Sequence, residues 1–135
     1  MFEVSVDETF SAGHALRGYK GKCENPHGHN YKVRLTVQGP QLDSIGLLFD
    51  FVHLKQVLHA VINDMDHKYL NDQPPFIELN PSAENIAKYL YDEVARGLKE
   101  LTTTSASSAL DAKNAPKITS VTVWETDITS ATYHP

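Results

Sequence analysis

The chain has 135 residues, 41% of them hydrophobic and 21% charged, the balance of an ordinary globular domain long enough for one core. A net charge of −5 and a sequence pI near 5.7 speak against a nucleic-acid surface, although a local basic pocket stays open. One cysteine excludes an internal disulfide framework, no apolar run approaches a membrane span, and Met1-Phe2-Glu3-Val4 lacks a signal peptide's regions, so a cytoplasmic protein independent of membranes is expected.

Residues 2 to 14 alternate as a strand, with Phe2, Val4, Val6, Phe10, Ala12 and His14 sharing one parity. Gly18, Gly21 and Pro26 mark a loop over 15 to 26, and alternation returns over 27 to 38 before Gly39-Pro40, which suggests an antiparallel pair. After the short apolar run 46 to 49, Asp50 can cap a helix whose positions Phe51, Leu54, Val57, Leu58, Val61 and Ile62 keep helical spacing and which ends near Met65. Asp66 to Asn71 and Pro74-Pro75 read as a connection. Asn80-Pro81-Ser82 opens a second helix, capped by Ser82, with Ile86, Ala87, Leu90, Val94, Leu98 and Leu101 as its buried stripe. Residues 102 to 117 carry no period and read as a mobile loop, and 118 to 126 form a last strand with Val121, Val123 and Glu125 on one face. The whole of 1–135 reads as a single domain without internal repeats.

Chemistry concentrates where these strands begin and end. Side chains two apart on a strand share a face, so His27 and His29 point the same way, and the parity of His14 brings it to the corresponding face if no bulge intervenes. Three neutral imidazoles with a fourth position left to water or substrate make a catalytic zinc site. A rival arrangement uses Cys23 as a fourth ligand and closes a structural zinc. Unrelated histidines satisfied in the core are a third reading of the same residues.

Other groups carry weaker signals. Glu125 ends the last strand on the apolar face, where a carboxylate needs a cation or the paired donors of a guanidine-like edge. Asp66-His67 follows a helix end, where a carboxylate fixes a histidine tautomer and prepares a proton carrier. Arg17, Lys20 and Lys22 surround Cys23 in sequence; they favour its thiolate and offer contacts to a phosphorylated substrate.

Taken together, Cys23-x-x-x-His27-Gly28-His29-Asn30 with His14 upstream, Asp50-Phe51-x-x-Leu54-Lys55, Asp66-His67-x-Tyr69-Leu70-Asn71, Asn80-Pro81-Ser82-x-Glu84 and Val123-x-Glu125-Thr126 resemble the 6-pyruvoyl-tetrahydropterin synthase family. The resemblance runs from about Phe2 to the C-terminus. It implies an α+β chain with the tunnelling fold, a four-stranded antiparallel sheet with two helices packed on one face. It also implies a homohexamer built as a dimer of trimers, with active sites between subunits, so that Cys23 and Asp66-His67 need not meet within one chain.

The three-residue spacer after Cys23 resembles the bacterial queuosine-pathway branch. That branch converts 7,8-dihydroneopterin triphosphate to 6-carboxy-5,6,7,8-tetrahydropterin with release of acetaldehyde and triphosphate. By the same resemblance His14, His27 and His29 hold Zn2+, Cys23, Asp66 and His67 are catalytic, and Glu125 and Thr126 bind the pterin. The 6-pyruvoyl-forming reaction, or side-chain cleavage on a related dihydropterin, is the neighbouring alternative. A zinc-binding assembly protein of this fold without catalysis is the alternative from another class, against which the presence of Cys23, Asp66, His67 and Glu125 together argues. A cupin-type metal protein fits His27-x-His29 but not the two helices.

Overall fold

The alternation of 2–14 and 27–38 produces the central pairing of the molecule. In the computed structural model, which describes residues 1–104 and 113–135, β1 (Phe2–His14) and β2 (His27–Gly39) pair antiparallel without a break, from Phe2 opposite Gly39 to His14 opposite His27. No bulge shifts this register, so the parity read from the sequence holds to its end. Val6, Phe10, Ala12 and His14 of β1 are buried on the same face as Tyr31, Val33, Leu35 and Val37 of β2.

The chain continues through α1 (Phe51–Asn63), β3 (Lys68–Tyr69), α2 (Ala83–Thr104), β4 (Lys117–Thr126) and β5 (Thr129–Tyr133). Single 3-10 turns lie at Lys22–Glu24 and Leu70–Asp72. The sheet order is β3-β1-β2-β4-β5, with every pairing antiparallel except β1 to β3. The architecture is α+β as expected, but the sheet has five strands rather than four. The extra one, β3, has two residues and runs parallel to Ala12 and Gly13 on the β1 edge.

Both helices cover one face. Asp50 caps α1 by accepting from the Val52 N–H at 2.8 Å, and Leu54, Val57, Leu58 and Ile62 turn inward over β1. Ser82 accepts from the Asn85 N–H at 3.2 Å, and Ile86, Ala87, Leu90 and Val94 of α2 pack over β4 and β5. Each such buried Leu, Ile or Val side chain contributes about 1.5–3 kcal/mol. Gly97 lets the helices approach, because a Cβ there would stand 2.8 Å from Val57 Cγ1. The helix runs on through Thr104, so the expected loop begins later than residue 102; its residues 105–112 lie outside the described residues.

The opposite face of the sheet is polar. Arg34 holds Asp7 through two bonds of 2.8 and 2.9 Å, and Lys32 Nζ lies 4.2 Å from the centre of the Trp124 ring. Among the described residues no helix is long and apolar enough to cross a membrane.

Candidate functional site

Pairing of His14 with His27 at the open end of β1 and β2, and one further step to His29, gathers three imidazoles. One ring nitrogen from each lies within 4.8 Å of the others. Two of the rings have fixed tautomers, because a carbonyl oxygen only accepts. His14 Nδ1 therefore donates to the Pro81 carbonyl at 2.7 Å, and His27 Nδ1 donates to the Asn25 carbonyl at 2.8 Å.

In the neutral rings both Nε2 atoms are then bare acceptors, yet they stand 3.0 Å apart. Two lone pairs at that distance repel unless a cation or a proton lies between them. Protonation is disfavoured at His14, which is 1% exposed; burial pushes its pKa below the ordinary imidazole value against the opposing pull of the Pro81 carbonyl and Glu125. Burial lowers His29 in the same way, and His29 Nε2 is buried without a hydrogen-bond partner. Three convergent imidazole nitrogens, one of them buried without a partner, fit a divalent metal, since ligating histidines usually donate their other N–H to an oxygen. A tetrahedral ion with bonds of ~2.0–2.1 Å sets its nitrogens roughly 3.3–3.4 Å apart, close to the His14–His27 separation.

Cys23 does not join this group. It sits partly buried on the 3-10 turn, where its carbonyl accepts from the Leu16 N–H at 2.8 Å, and the potential metal ligands among the described residues are the three imidazoles. The closed four-ligand arrangement is thus not assembled in this chain.

Glu125 arrives where its parity on β4 directs it. Its Oε1 lies 3.9 Å from His14 Nε2, and its side chain is 28% exposed into a cleft of about 230 Å³ shared with Ser82, Glu84 and Ser130. Thr126, next in sequence, faces differently: its hydroxyl bonds the Thr129 hydroxyl at 2.6 Å across the turn into β5.

Asp66 and His67 lie beyond the end of α1, on the edge of β1. Asp66 Oδ1 accepts from the Ser11 N–H at 2.9 Å and Oδ2 stands 3.0 Å from His67 Nδ1. The Ser11 N–H, assisted by His67, holds this carboxyl below the usual value. His67 adopts φ 60°, a left-handed conformation uncommon outside glycine, and its own N–H donates to the Ser11 carbonyl at 2.6 Å. That turn leaves the imidazole 82% exposed. A cleft of about 450 Å³ beside it is bounded by Gly13, Gly28, His29, His67 and Tyr69.

Arg17 does not behave as a phosphate ligand in this chain. Its guanidinium donates to the Phe76 carbonyl at 2.7 Å and reaches the Leu79 and Asn71 carbonyls at 3.4 Å, which ties the loop after His14 to residues 71–79. Lys20 and Lys22 are exposed. The sequence reading also missed the oxygens of Asn25 and Pro81. Pro81 comes from 67 residues away, so no local spacing announces it.

Comparison with known proteins identifies the family of the chain. The family model for 6-pyruvoyl tetrahydropterin synthase matches residues 3–135. A 6-carboxy-5,6,7,8-tetrahydropterin synthase of Bacillus subtilis (strain 168) is 34% identical over 139 residues, spanning 99% of this chain and 86% of the relative. The 6-pyruvoyl tetrahydrobiopterin synthase of Homo sapiens is 36% identical over 110 residues, spanning 71% of this chain and 76% of the relative. The solved structure of Caenorhabditis elegans 6-pyruvoyl tetrahydropterin synthase shares the fold with a TM-score of 0.78 at 24% identity, covering 99% of this chain and 95% of that one. With the model matched from residue 3 to the last and a relative above 30% identity along the whole chain, this chain belongs to the 6-pyruvoyl tetrahydropterin synthase family.

Proposed function

We propose that the protein is a 6-carboxy-5,6,7,8-tetrahydropterin synthase that uses zinc held by His14, His27 and His29. Its substrate on this reading is 7,8-dihydroneopterin triphosphate, and acetaldehyde and triphosphate are released. The observation that carries the metal-dependent reading is the approach of the His14 and His27 Nε2 atoms to 3.0 Å, with both Nδ1 atoms turned to carbonyls, beside the orphaned Nε2 of His29. The choice of product is supported by the Bacillus subtilis relative, which spans nearly the whole chain under the 6-carboxy name.

A divalent ion in this cluster supplies a Lewis acid for the oxygens of the substrate side chain. The protein's own groups divide the remaining work. Glu125, 3.9 Å from His14 Nε2, accepts the paired N–H donors of the pterin and so orients the ring beside the cluster. Thr126 assists it. Cys23 removes protons from the side-chain carbons as general base. Asp66 fixes the tautomer of His67, and His67 exchanges protons from the exposed side of the cleft. The site is completed between subunits of a homohexamer made of two trimers, which accounts for a thiol that lies outside the histidine cluster.

A second reading is favoured by the human relative, at 36% identity over 71% of this chain: 6-pyruvoyl formation from the same substrate. Incubation of zinc-loaded protein with 7,8-dihydroneopterin triphosphate and mass identification of the product decides. A 6-carboxy product with acetaldehyde is expected; a 6-pyruvoyl product selects the second reading. No turnover by zinc-loaded, folded protein selects the assembly protein without catalysis.

A further inference from the structure

We infer that Asn80 is a positioning residue for the histidine cluster, acting through the backbone carbonyl of Pro81. The inference rests on the reading of His14, His27 and His29 as metal ligands and adds the device that aims the first of them.

His14 is the last residue of β1, where the strand's pairing no longer restrains its ring on both sides. Its outer nitrogen is held by one buried bond, Nδ1–H to the Pro81 carbonyl at 2.7 Å. The carbonyl can aim the ring only if it is itself held. Proline contributes a fixed φ, and its neighbours are fastened on both sides. The Asn80 side chain binds the backbone of Arg17 as a strand neighbour would, accepting from its N–H at 2.9 Å and donating to its carbonyl at 2.9 Å. The Asn80 carbonyl accepts from Asn85 Nδ2 at 2.9 Å, which joins it to the first turn of α2. On the other side Ser82 is the cap of α2, accepting from Asn85 and Ile86 N–H groups.

The result is a closed circuit. Residue 14 is bonded to residue 81, and residue 17, three further along the same strand exit, is bonded to residue 80. Asn71 repeats the double bond at Ala15, with 2.9 Å in each direction. Asn71 and Arg17 therefore already fasten this loop, so Asn80 is not needed merely to keep it in place. What the Asn80 side chain adds, together with the Asn85 bond to its carbonyl, is restraint of the residue that precedes Pro81.

The test measures zinc affinity by competition with a chromophoric chelator, together with the thermal midpoint of the metal-free protein. Asn80→Ala should bind zinc about 10–100-fold more weakly than wild type, as other outer-sphere changes do, while remaining folded. Asp7→Asn, which cuts a pair on the opposite face of the sheet, should leave zinc affinity unchanged. Wild-type zinc affinity in folded Asn80→Ala overturns the inference, whatever its thermal midpoint. Should Asn80→Ala fail to fold, Asn85→Ala removes only the bond to the Asn80 carbonyl; weakened zinc binding supports the role and unchanged binding refutes it. Failure of the underlying metal reading shows itself separately, as wild-type protein that binds no zinc or binds it equally well after His27→Ala.

Discussion

The histidine cluster and the Asp66-His67 pair both lie near the end of β1, yet the chain holds them by opposite means. His14, His27 and His29 stand on two strands in unbroken register, and His14 is 1% exposed with its outer nitrogen bonded to Pro81. His67 follows a helix end at φ 60° and is 82% exposed, restrained by one carboxylate and by Ser11. A metal ligand works by being fixed before the ion arrives, which rigid strands and second bonds provide. A proton carrier must meet a substrate that enters and leaves, which an exposed imidazole at the rim of a cleft allows.

Substitutions can break this contrast, beginning with the largest effect. His27→Ala removes one of the three proposed ligands and should abolish turnover together with stoichiometric zinc, as metal analysis of the purified protein would record. Metal content equal to wild type would break the division of roles. Asp66→Asn should lower kcat by about 10²-fold while zinc content stays at the wild-type level. Zinc loss in that variant would mean that the two regions act as one site. Glu125→Gln removes a charged acceptor worth about 1.5–3 kcal/mol and should weaken pterin binding, read by fluorescence titration, without releasing zinc. The smallest effect belongs to the polar face. Arg34 holds the Asp7 carboxyl below its ordinary pKa of 3.8, so this pair stabilises the fold above that value and the contribution is lost as pH falls toward the folded-state pKa. Being partly exposed, it is worth under about 1 kcal/mol, and Asp7→Asn in urea at neutral pH should lose no more than that.

The parts of this picture that the sequence discloses are those governed by a short period. Alternation brought His14, His27 and His29 to one face because β1 pairs with β2 in unbroken register, and Glu125 keeps the parity of Val121 and Val123 although the β4–β5 pairing shifts between Trp124 and Thr126. Helical spacing likewise located α1 and α2. The two strands it overlooked lack a readable period: β3 has two residues, and β5 is a Thr-Ser-Ala-Thr-Tyr segment with little apolar content. The bonds that orient His14 join residues 63 to 67 apart, Arg17 to Asn80 and His14 to Pro81. Asn80 therefore reads as no more than the approach to a helix, and Arg17 as a free cation, until the loop is closed on 71–81.

The central claim is that three imidazoles hold the metal and the thiol stays apart for chemistry. Titration of wild-type and Cys23→Ala protein with Co2+ tests it most directly, because cobalt reports its ligands in its visible and near-ultraviolet absorption. The account predicts one ion per chain in both proteins, the same visible spectrum, and no thiolate-to-metal charge-transfer band. A charge-transfer band in wild type that disappears in Cys23→Ala would make Cys23 a ligand and contradict it.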